Sequence, residues 1–512
     1  MLHPRRRFLS SLTALRTIAL LALAVMPSAA PAQPADQPAP PAAPTSAGRF
    51  QIRFDPALQP TPYSGRVYVV LGRAGSREPR RQMTDWFAGT QVFSLDVSDV
   101  ASDAAIQIGA NALSFPETFA SAKPGEYSAQ AVARGNPDSP TPGRGEGDLY
   151  SDPVPVAFDP GNPGVLTLTL NHVVPARPFK EADRVKLVEI VSPSLSKFAG
   201  REMKIRAGVW LPEGWKDDAD LRLPTVYFLG GFGSDHQSAG RLGQMFGPRL
   251  AGALLVVPDP TCYRGYSAFA DSENNGPWGT ALMTELIPEV EKRFHGAQDG
   301  DRRFVTGISS GGWASLWLQV AHPDEFAGCW SHCPDPVDFR DFQRIDLYAK
   351  DANMYRDSAG ERRPVARDGD RVQLWYDDFV RQETVMGPGG QIHSFEAAFS
   401  PRRADGTPAP LFDRATGAID PKVAEAWERF DIRLVLERNW PVLGPKLAGK
   451  LHVFGGGADN FYLEGAVEKL GASLRALGSD AEVIVVPGMP HTIHGDGMTS
   501  LFEAVERAGA VR

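Results

Sequence analysis

The stretch RFVTGISSGGW, residues 303–313, decides the fold of the second half of this 512-residue chain. It contains the pattern G-x-S-x-G, with Gly307 and Gly311 on either side of Ser309, and the apolar pair Phe304-Val305 precedes it. A strand that turns sharply into a helix strains its central residue, and a side chain two positions away would clash. Residues 314–321 follow with a helical pattern. The stretch therefore predicts a strand–turn–helix unit that lifts the Ser309 hydroxyl clear of a sheet.

The sequence on both sides of this stretch predicts an α/β domain. Residues 225–229, 253–257 and 484–486 are nearly unbroken apolar runs, which are typical of parallel strands buried on both faces. Between such runs lie stretches with apolar residues at helical spacing, such as Leu282 to Phe294. Strands that alternate with helices build a sheet with helices on both faces.

The turn at Ser309 suggests a nucleophile whose oxyanion is held by backbone N–H groups. The following helix N-terminus carries partial positive charge, and the backbone of Ser310 should supply one donor. Gly230-Gly231-Phe232-Gly233 comes directly after an earlier predicted strand, where a second donor is needed. We favour the N–H of Phe232, with that of Gly231 as the alternative. These glycines would also suit a simple tight turn.

The acid and the base should each follow a later strand, in the order nucleophile, acid, base. His491 comes soon after the predicted strand at residues 482–486 and is the expected base, with His494 as its competitor. Asp459 follows the predicted strand at residues 450–455 and is the expected acid, although it would also suit a helix N-cap. Asp335 is the reserve candidate.

The separation between Ser309 and Asp459 exceeds one strand–helix–strand unit, which predicts an insertion at about residues 340–445. Aromatic residues of the insertion would suit a pocket for an ester substrate, or the insertion's own small core. Other aromatic residues follow the strand that ends at Pro258. The candidates for substrate binding are Tyr263, Tyr266, Trp278 and Trp375.

The N-terminal half shows a different periodicity. From residue 49 to about 178, short runs such as Val67 to Val70 and Val154 to Phe158 are separated by Gly, Pro and Asp. About seven runs of this kind without a helical stretch predict an all-β, sandwich-like module before the catalytic domain at residues 179–512. Residues 33–48 are small residues and prolines, and they predict a disordered linker.

The first 32 residues have the three parts of a secretory signal peptide: a basic start, a short apolar run and the ending Ala30-Pro31-Ala32. Arg5-Arg6 followed by Phe8-Leu9 also resembles the twin-arginine export signal. The apolar run is too short to cross a bilayer. We therefore expect a periplasmic or secreted protein without a stable membrane anchor.

Charge and cysteine content narrow the function classes. The formal charge is −8, which gives no support to nucleic-acid binding. Three cysteines allow at most one internal bridge, and Cys262 with Cys333 is one candidate pair. Cys329 and Cys333 lack the second ligand pair of a zinc site. No metal or organic cofactor is expected, and the sequence gives no oligomeric state.

Taken together, these motifs resemble the putative esterase family of α/β-hydrolases, which includes enterochelin esterases, esterase D-type formylglutathione hydrolases, feruloyl esterases and mycolyltransferases. Similar stretches are FADSENNGPWG at 269–279, TGISSGGWASLWLQ at 306–319 and PDPVDFRDF at 334–342. The resemblance covers about residues 185–500 and implies an α/β-hydrolase fold with the triad Ser309, Asp459 and His491. Many hydrolases have a His before the Gly pair, where this chain has Leu229.

The expected function is that of an exported serine hydrolase that cleaves a small-molecule carboxylic ester through an acyl-enzyme. One alternative is acyl transfer to a sugar or lipid alcohol, which would use the same triad. Another is a non-catalytic binding protein of the cell envelope, in which the β-module carries the function.

Overall fold

Two large β-sheets organise the computed structural model, which describes residues 44–250 and 252–510. One sheet has ten strands and lies in the N-terminal half, and the other has eight. The predicted signal peptide lies outside the described residues, as does most of the predicted linker. The export function of the signal peptide therefore stays a prediction.

The first sheet contains all the strands before residue 174. In chain order they are β1 (Thr45–Ala47), β2 (Arg49–Phe54), β3 (Tyr63–Arg73), β4 (Gln91–Val100), β5 (Ala105–Ile108), β6 (Leu113–Phe115), β7 (Gly125–Ala133), β8 (Leu149–Ser151), β9 (Val154–Phe158) and β10 (Val165–Val173). Eight of them follow the order β5-β2-β10-β8-β7-β3-β4-β6, and β9 joins β1 to β7.

This sheet folds over its own core. Phe50 on β2 lies 6.1 Å from Phe93 on β4 between ring centroids, although four strands separate β2 from β4 in the sheet. A flat sheet would place those strands about 24 Å apart. Phe158 on β9 stacks on Phe50 at 5.5 Å and completes the aromatic centre. The predicted all-β, sandwich-like module is therefore confirmed.

Three strands of this module went unpredicted, and each has only three residues: β1, β6 and β8. A three-residue strand is too short to show a period of two. β1 falls inside the predicted disordered linker, and Ala47 is fully buried where β1 pairs with β9. That end of the linker prediction is wrong, because backbone pairing needs no large side chain. The other domain boundaries stay predictions.

The second sheet contains eight of the later strands. The strands after residue 184 are β11 (Val185–Val191), β12 (Lys204–Trp210), β13 (Thr225–Leu229), β14 (Leu254–Pro258), β15 (Thr261–Cys262), β16 (Gly265–Tyr266), β17 (Asp271–Ser272), β18 (Gly276–Pro277), β19 (Arg303–Ile308), β20 (Gly328–His332), β21 (Pro364–Asp368), β22 (Arg371–Trp375), β23 (Leu451–Gly456) and β24 (Glu482–Val486). The large sheet has the order β11-β12-β14-β13-β19-β20-β23-β24, and the other six strands form two-stranded ribbons.

Helices cover both faces of this sheet. They are α1 (Pro193–Ala199), α2 (Ala239–Phe246), α3 (Trp278–Ala281), α4 (Ile287–Phe294), α5 (Ser310–Ala321), α6 (Tyr376–Met386), α7 (Gln391–Phe399), α8 (Pro421–Trp427), α9 (Ile432–Leu447), α10 (Glu464–Ala476) and α11 (Gly495–Ala510). Alternate residues of β13 point to opposite faces. Val226 and Phe228 pack with α2 and α11, whereas Tyr227 and Leu229 pack with α4, α5 and α10.

Six neighbouring strands of the large sheet run parallel, in the order β14-β13-β19-β20-β23-β24, and β12 is antiparallel to β14. With a strained serine after β19, this is the α/β-hydrolase sheet that the sequence predicted. β20 and β23 are neighbours in the sheet, but along the chain they are separated by β21, β22 and α6 to α9.

The end of α6 joins the catalytic domain to the β-module. Val385 and Met386 are buried against Tyr68 and other residues of the first sheet. Tyr68 donates a hydrogen bond to the Met386 carbonyl at 2.6 Å, and Ser94 donates to that of Val385 at 2.7 Å. Among the described residues, the three cysteines are free thiols and no helix has the length and apolarity needed to cross a membrane.

Candidate active site

The backbone at Ser309 has the strain that the G-x-S-x-G pattern predicts. Ser309 has φ 59° and ψ −126°, between the end of β19 and the start of α5. A Cβ at Gly307 would lie 2.2 Å from the Gly311 carbonyl oxygen, and one at Gly311 would lie 2.0 Å from that of Leu229. Only glycine fits at both positions. Strain of this kind concentrates at functional sites.

The oxyanion loop, residues 230–233, lies beside the serine. A Cβ added to Gly231 would be 3.2 Å from Ser309 Cβ, so the loop backbone passes directly over the turn. Tyr266 fixes this loop, because its hydroxyl donates to the Gly230 carbonyl at 2.7 Å. Within the described chain, no hydrogen bond uses the backbone N–H of Phe232 or Ser310. Both donors are thus available to a ligand.

The predicted acid and base are in contact. Asp459 Oδ2 and His491 Nδ1 are 2.7 Å apart, Asp459 is fully buried, and the His491 side chain is 13% exposed. Asp459 Oδ1 also accepts the N–H of Phe461 at 2.7 Å, so this residue orients the imidazole and closes its own turn. Asn460 Oδ1 accepts the N–H of His491 at 3.0 Å. Because Asp459 binds Nδ1 of His491, the other ring nitrogen, Nε2, is left to accept the proton of a nucleophile.

The surroundings of His491 favour its protonated form. Burial lowers the pKa of the imidazole, but hydrogen bonds with Asp459 and Cys333 outweigh burial and raise this pKa to about 10. Stabilisation of an imidazolium is what a general base needs while it holds the proton of a nucleophile. The competitor His494 instead caps α11, since its Nδ1 accepts the N–H of Gly497 at 3.1 Å.

Cys333 is a site residue that the sequence did not reveal, since the sequence analysis considered it only for a disulfide and for a zinc site. It is fully buried directly after β20, and its Sγ lies 3.3 Å from the Thr492 carbonyl oxygen. Ligand atoms of Cys333, Asp459 and His491 lie within 4.8 Å of one another, a grouping that in the described residues is the one able to hold a metal ion. The sequence signal that could have identified Cys333 is its position just after a predicted strand, at the sheet edge where Asp459 and His491 were also expected.

Asp335, the reserve candidate for the acid, contacts the nucleophile rather than the imidazole. Ser309 Oγ lies 3.4 Å from Asp335 Oδ1, and Ser310 Oγ donates to Oδ2 at 2.5 Å. Burial raises the pKa of Asp335 to about 6, against the lowering effects of Ser310, His491 and Gln391. No hydrogen bond joins Ser309 to His491 in the described residues. Catalytic hydrogen bonds often align only when a ligand is bound.

The four predicted substrate-binding aromatics are dispersed. Tyr266 is 3% exposed and holds the oxyanion loop from behind, as described above. Tyr263 is 38% exposed and lies under the Arg134 guanidinium, 4.3 Å from its ring centroid. Trp278 is a core residue, 4% exposed, whose indole N–H donates to Asn275. Trp375 lies under Arg362. Trp278 belongs to the core of the catalytic domain and also lines a separate cavity with Asp259 and Cys262, so its role in substrate binding stays a prediction.

Trp86, from the β-module, is the aromatic residue that the structure brings to the oxyanion loop. Its ring stacks on Phe232 at 5.8 Å with an interplanar angle of 13°. It also meets the edge of Phe461 at 6.3 Å, and Phe461 in turn meets His491 at 5.1 Å. No sequence motif marks Trp86, because its position depends on how the two domains pack.

Part of this chain is similar to known esterases. Residues 196–385 match the model of the family described as putative esterase, which confirms the predicted resemblance over that range. Esterase Rv1288 of Mycobacterium tuberculosis H37Rv and Esterase MT1326 of strain CDC 1551 are each 28% identical over 158 residues. The match covers 30% of this chain and only about a third of the relatives' length, 34%.

Two solved structures are similar to this chain over nearly two thirds of its length. A ferulic acid esterase is 12% identical, covering 64% of this chain and 99% of its own, with a TM-score of 0.41. The S-formylglutathione hydrolase of Agrobacterium tumefaciens is 15% identical, covering 64% and 95%, with a TM-score of 0.38.

Proposed function

We propose that this chain, whose residues 196–385 match the putative esterase family, is a serine hydrolase that cleaves a carboxylic ester through an acyl-enzyme on Ser309. One observation carries the proposal: a buried Asp459–His491 pair lies at the same sheet edge as a strained serine flanked by two unused N–H donors. These are the parts that acyl transfer to serine requires.

The proposed reaction begins with rotation of the Ser309 side chain from Asp335 towards His491. His491 then takes the hydroxyl proton while Ser309 Oγ attacks the ester carbonyl carbon. The N–H groups of Phe232 and Ser310 hold the resulting oxyanion. As the tetrahedral intermediate collapses, the bond to the alcohol breaks and His491 protonates that oxygen.

The acyl-enzyme is released by water in the second half of the reaction. His491 removes a proton from the water, the hydroxide attacks the acyl carbon, and Ser309 Oγ leaves with a proton returned from His491. Asp459 stays ionised throughout and stabilises the imidazolium. Acyl transfer would differ only in the alcohol that takes the place of water.

We further propose that the protein acts outside the cytoplasm. The support is the sequence of the first 32 residues, with its arginines, short apolar run and Ala-x-Ala ending. The test is cell fractionation: a chain that lacks its first 32 residues should be recovered from the periplasm or medium, and Arg5→Lys with Arg6→Lys should retain the protein in the cytoplasm if export uses the twin-arginine route.

A fluorophosphonate probe tests the enzymatic proposal. The wild-type chain should gain one covalent adduct by intact mass, and Ser309→Ala should gain none. Ser310→Ala is the matched control, because it removes the adjacent hydroxyl but keeps the backbone N–H, and it should still be labelled. Labelling that persists in Ser309→Ala, or its absence from folded wild type, would refute the proposal.

Product analysis with added sugar and lipid alcohols separates hydrolysis from acyl transfer.

A further inference from the structure

We infer that the N-terminal β-module completes the active site, and that Trp86 is the wall that selects esters carrying a planar apolar group. The inference rests on the proposed serine hydrolase function and adds a specificity-determining residue to it. Four observations carry it: the position of Trp86, the cavity beside it, the contacts that hold the cavity wall, and the apolar lining.

Trp86 lies one aromatic ring away from both halves of the catalytic machinery. On one side its ring stacks on Phe232, whose backbone N–H is the proposed oxyanion donor. On the other side it meets Phe461, which contacts the base His491. The edge of Phe379 from α6 closes the third side at 5.3 Å. A group held against this ring would therefore lie next to the reacting carbonyl.

A cavity of about 370 Å³ opens beside Trp86 at the junction of three chain segments. The β-module supplies residues 84–87, 140–142 and Arg144, and the oxyanion loop supplies Phe232 and Gly233. The end of α6 with the following loop supplies Gln382, Glu383 and residues 386–390. Volumes of this size are typical of small-molecule sites. A catalytic domain alone would lack one whole wall of it.

Hydrogen bonds across the junction hold that wall in place. The Gln382 side chain donates to the Asp85 carbonyl at 3.0 Å, directly beside Trp86. Arg134 of the module donates to the Pro388 carbonyl at 2.5 Å. With the contacts of Tyr68 and Ser94 to the end of α6, these bonds fix both sides of the cavity. A preformed wall loses little entropy when a ligand binds.

The lining favours a flat apolar group. Trp86, Phe87, Phe232 and Met386 present rings and a thioether, together with prolines of both domains. Glu383 is the buried acid of the lining, and it is already occupied, since its carboxylate accepts the N–H groups of Gln391 and Ile392 at the start of α7. Phe87 is 53% exposed at the opening, as expected of a residue that covers a ligand. Aromatic rings bind other planar groups by offset stacking.

The test compares esters with and without a ring, using the full chain. Benzyl acetate carries a ring on the alcohol side, ethyl phenylacetate carries one on the acyl side, and ethyl acetate carries none. Acid release is followed by pH-stat titration, so that no chromophore is needed. Wild type should prefer at least one of the ring-bearing esters by kcat/KM. Trp86→Ala should lower kcat/KM for that ester at least about tenfold and change ethyl acetate less than about threefold.

Matched variants separate the wall from general effects. Trp86→Phe keeps a ring and should restore most of the preference. Trp215→Ala removes an indole that lies outside the cavity lining, where it donates to the Phe294 carbonyl, and should leave all three rates unchanged. If Trp86→Ala does not fold, Phe87→Ala takes its place, because a half-exposed ring can be removed with little loss of stability and should weaken the same preference.

The outcomes distinguish this inference from the proposed function. Equal losses on all three esters in Trp86→Ala, or a wild type without any preference for a ring, would overturn the inference while Ser309 labelling by the fluorophosphonate probe still supports the hydrolase. Loss of Ser309 labelling in wild type would refute the hydrolase itself.

Discussion

The chain contains two buried His–Asp pairs with nearly the same geometry. His491 Nδ1 lies 2.7 Å from Asp459, and His236 Nδ1 lies 2.8 Å from Asp259. The side chains of both pairs are at most 13% exposed. Each aspartate comes soon after a parallel strand, β23 for Asp459 and β14 for Asp259. Distance, burial and position in the sheet therefore do not separate the two pairs.

Their neighbours separate them. His491 contacts Cys333 and Phe461 and lies close enough to Asp335 to lower the pKa of that carboxyl, beside Ser309. His236 stacks on Phe179, and Asp259 is otherwise occupied by the N–H and hydroxyl of Thr261. The second pair connects two segments of the chain. His236 lies just after the oxyanion loop, and Asp259 lies just after β14. A His–Asp pair thus becomes a candidate catalytic pair only where a strained serine is within reach.

The largest expected effect separates the pairs by catalysis. Asp459→Asn should lower kcat about 10³- to 10⁴-fold, because the amide can neither select the required imidazole tautomer nor stabilise the imidazolium. Asp259→Asn should change kcat less than about threefold. Steady-state hydrolysis, with circular dichroism to verify folding, measures both. A similar loss in the two variants would show that the comparison misassigns the catalytic pair.

The next effect separates them by stability. Asp259→Asn should lower the free energy of unfolding by about 3 kcal/mol, because it leaves His236 buried without its carboxylate. Urea unfolding followed by tryptophan fluorescence measures the loss. His236→Ala, which removes the other partner, is the control and should be destabilised to a similar degree. Unchanged stability in both variants would contradict a structural role for this pair.

The same pair has a predictable pH dependence. Burial alone would raise the pKa of Asp259, but hydrogen bonds from His236 and Thr261 lower it below the ordinary value. A carboxyl with a depressed pKa in the folded protein stabilises the fold above the unfolded-state pKa of about 3.9, and the stabilisation is lost as pH falls through the folded value. The difference in stability between wild type and Asp259→Asn should therefore shrink below about pH 4.

A smaller effect is expected from the Cys333 thiol, which lies beside the candidate catalytic pair and should shift the pH dependence of kcat/KM. The base works when deprotonated, so kcat/KM should rise with pH through the pKa of His491, which its hydrogen bonds hold above the ordinary value. Cys333→Ala removes a hydrogen bond that raises this pKa, and the rising limb should move to lower pH by about half a unit to one unit.

Cys329→Ala is the control for the thiol. Cys329 is equally buried, on β20, but it does not contact His491. Replacement of Cys329 should leave the rising limb of the kcat/KM profile at the same pH as in the wild type. A limb that is unmoved by Cys333→Ala, or moved equally by both substitutions, would show that the thiol does not tune the base.

The contact between Asp459 and His491 could be predicted from the sequence because its determinants are local. Gly307 and Gly311 are required by the backbone of one turn, and Asp459 and His491 are placed by the strands that precede them. His236 and Asp259 precede the nucleophile and satisfy no such order, so no pattern suggested that they meet. The continuous apolar runs at residues 225–229 and 253–257 likewise predicted buried parallel strands, because the pattern reflects burial on both faces.

Residues whose role depends on packing between domains could not be predicted. Trp86 lies in a loop of the β-module, and only the contact between that module and the end of α6 brings it to Phe232. Trp278 has the same residue type, and its position after the strand ribbons gave no sign that its indole is buried. The strand Thr45–Ala47 escaped for a related reason: its partner β9 lies more than a hundred residues later.

The smallest expected effect concerns Asp335, the buried aspartate that contacts Ser309. Asp335→Asn removes both an acceptor that competes with His491 for the Ser309 proton and a negative charge that favours the His491 cation. Because these two losses act in opposite directions on the rate, kcat should change less than about fivefold at pH 8, where the wild-type carboxyl, with its pKa of about 6, is ionised. The measurement is the ratio of kcat in Asp335→Asn to that in Asp459→Asn, with Ser310→Ala as the control for loss of the neighbouring hydrogen bond. A large loss of kcat in Asp335→Asn with little loss in Asp459→Asn, which gives a ratio far below one, would make Asp335 the acid of the triad, and Asp459–His491 would then be a structural pair like Asp259–His236.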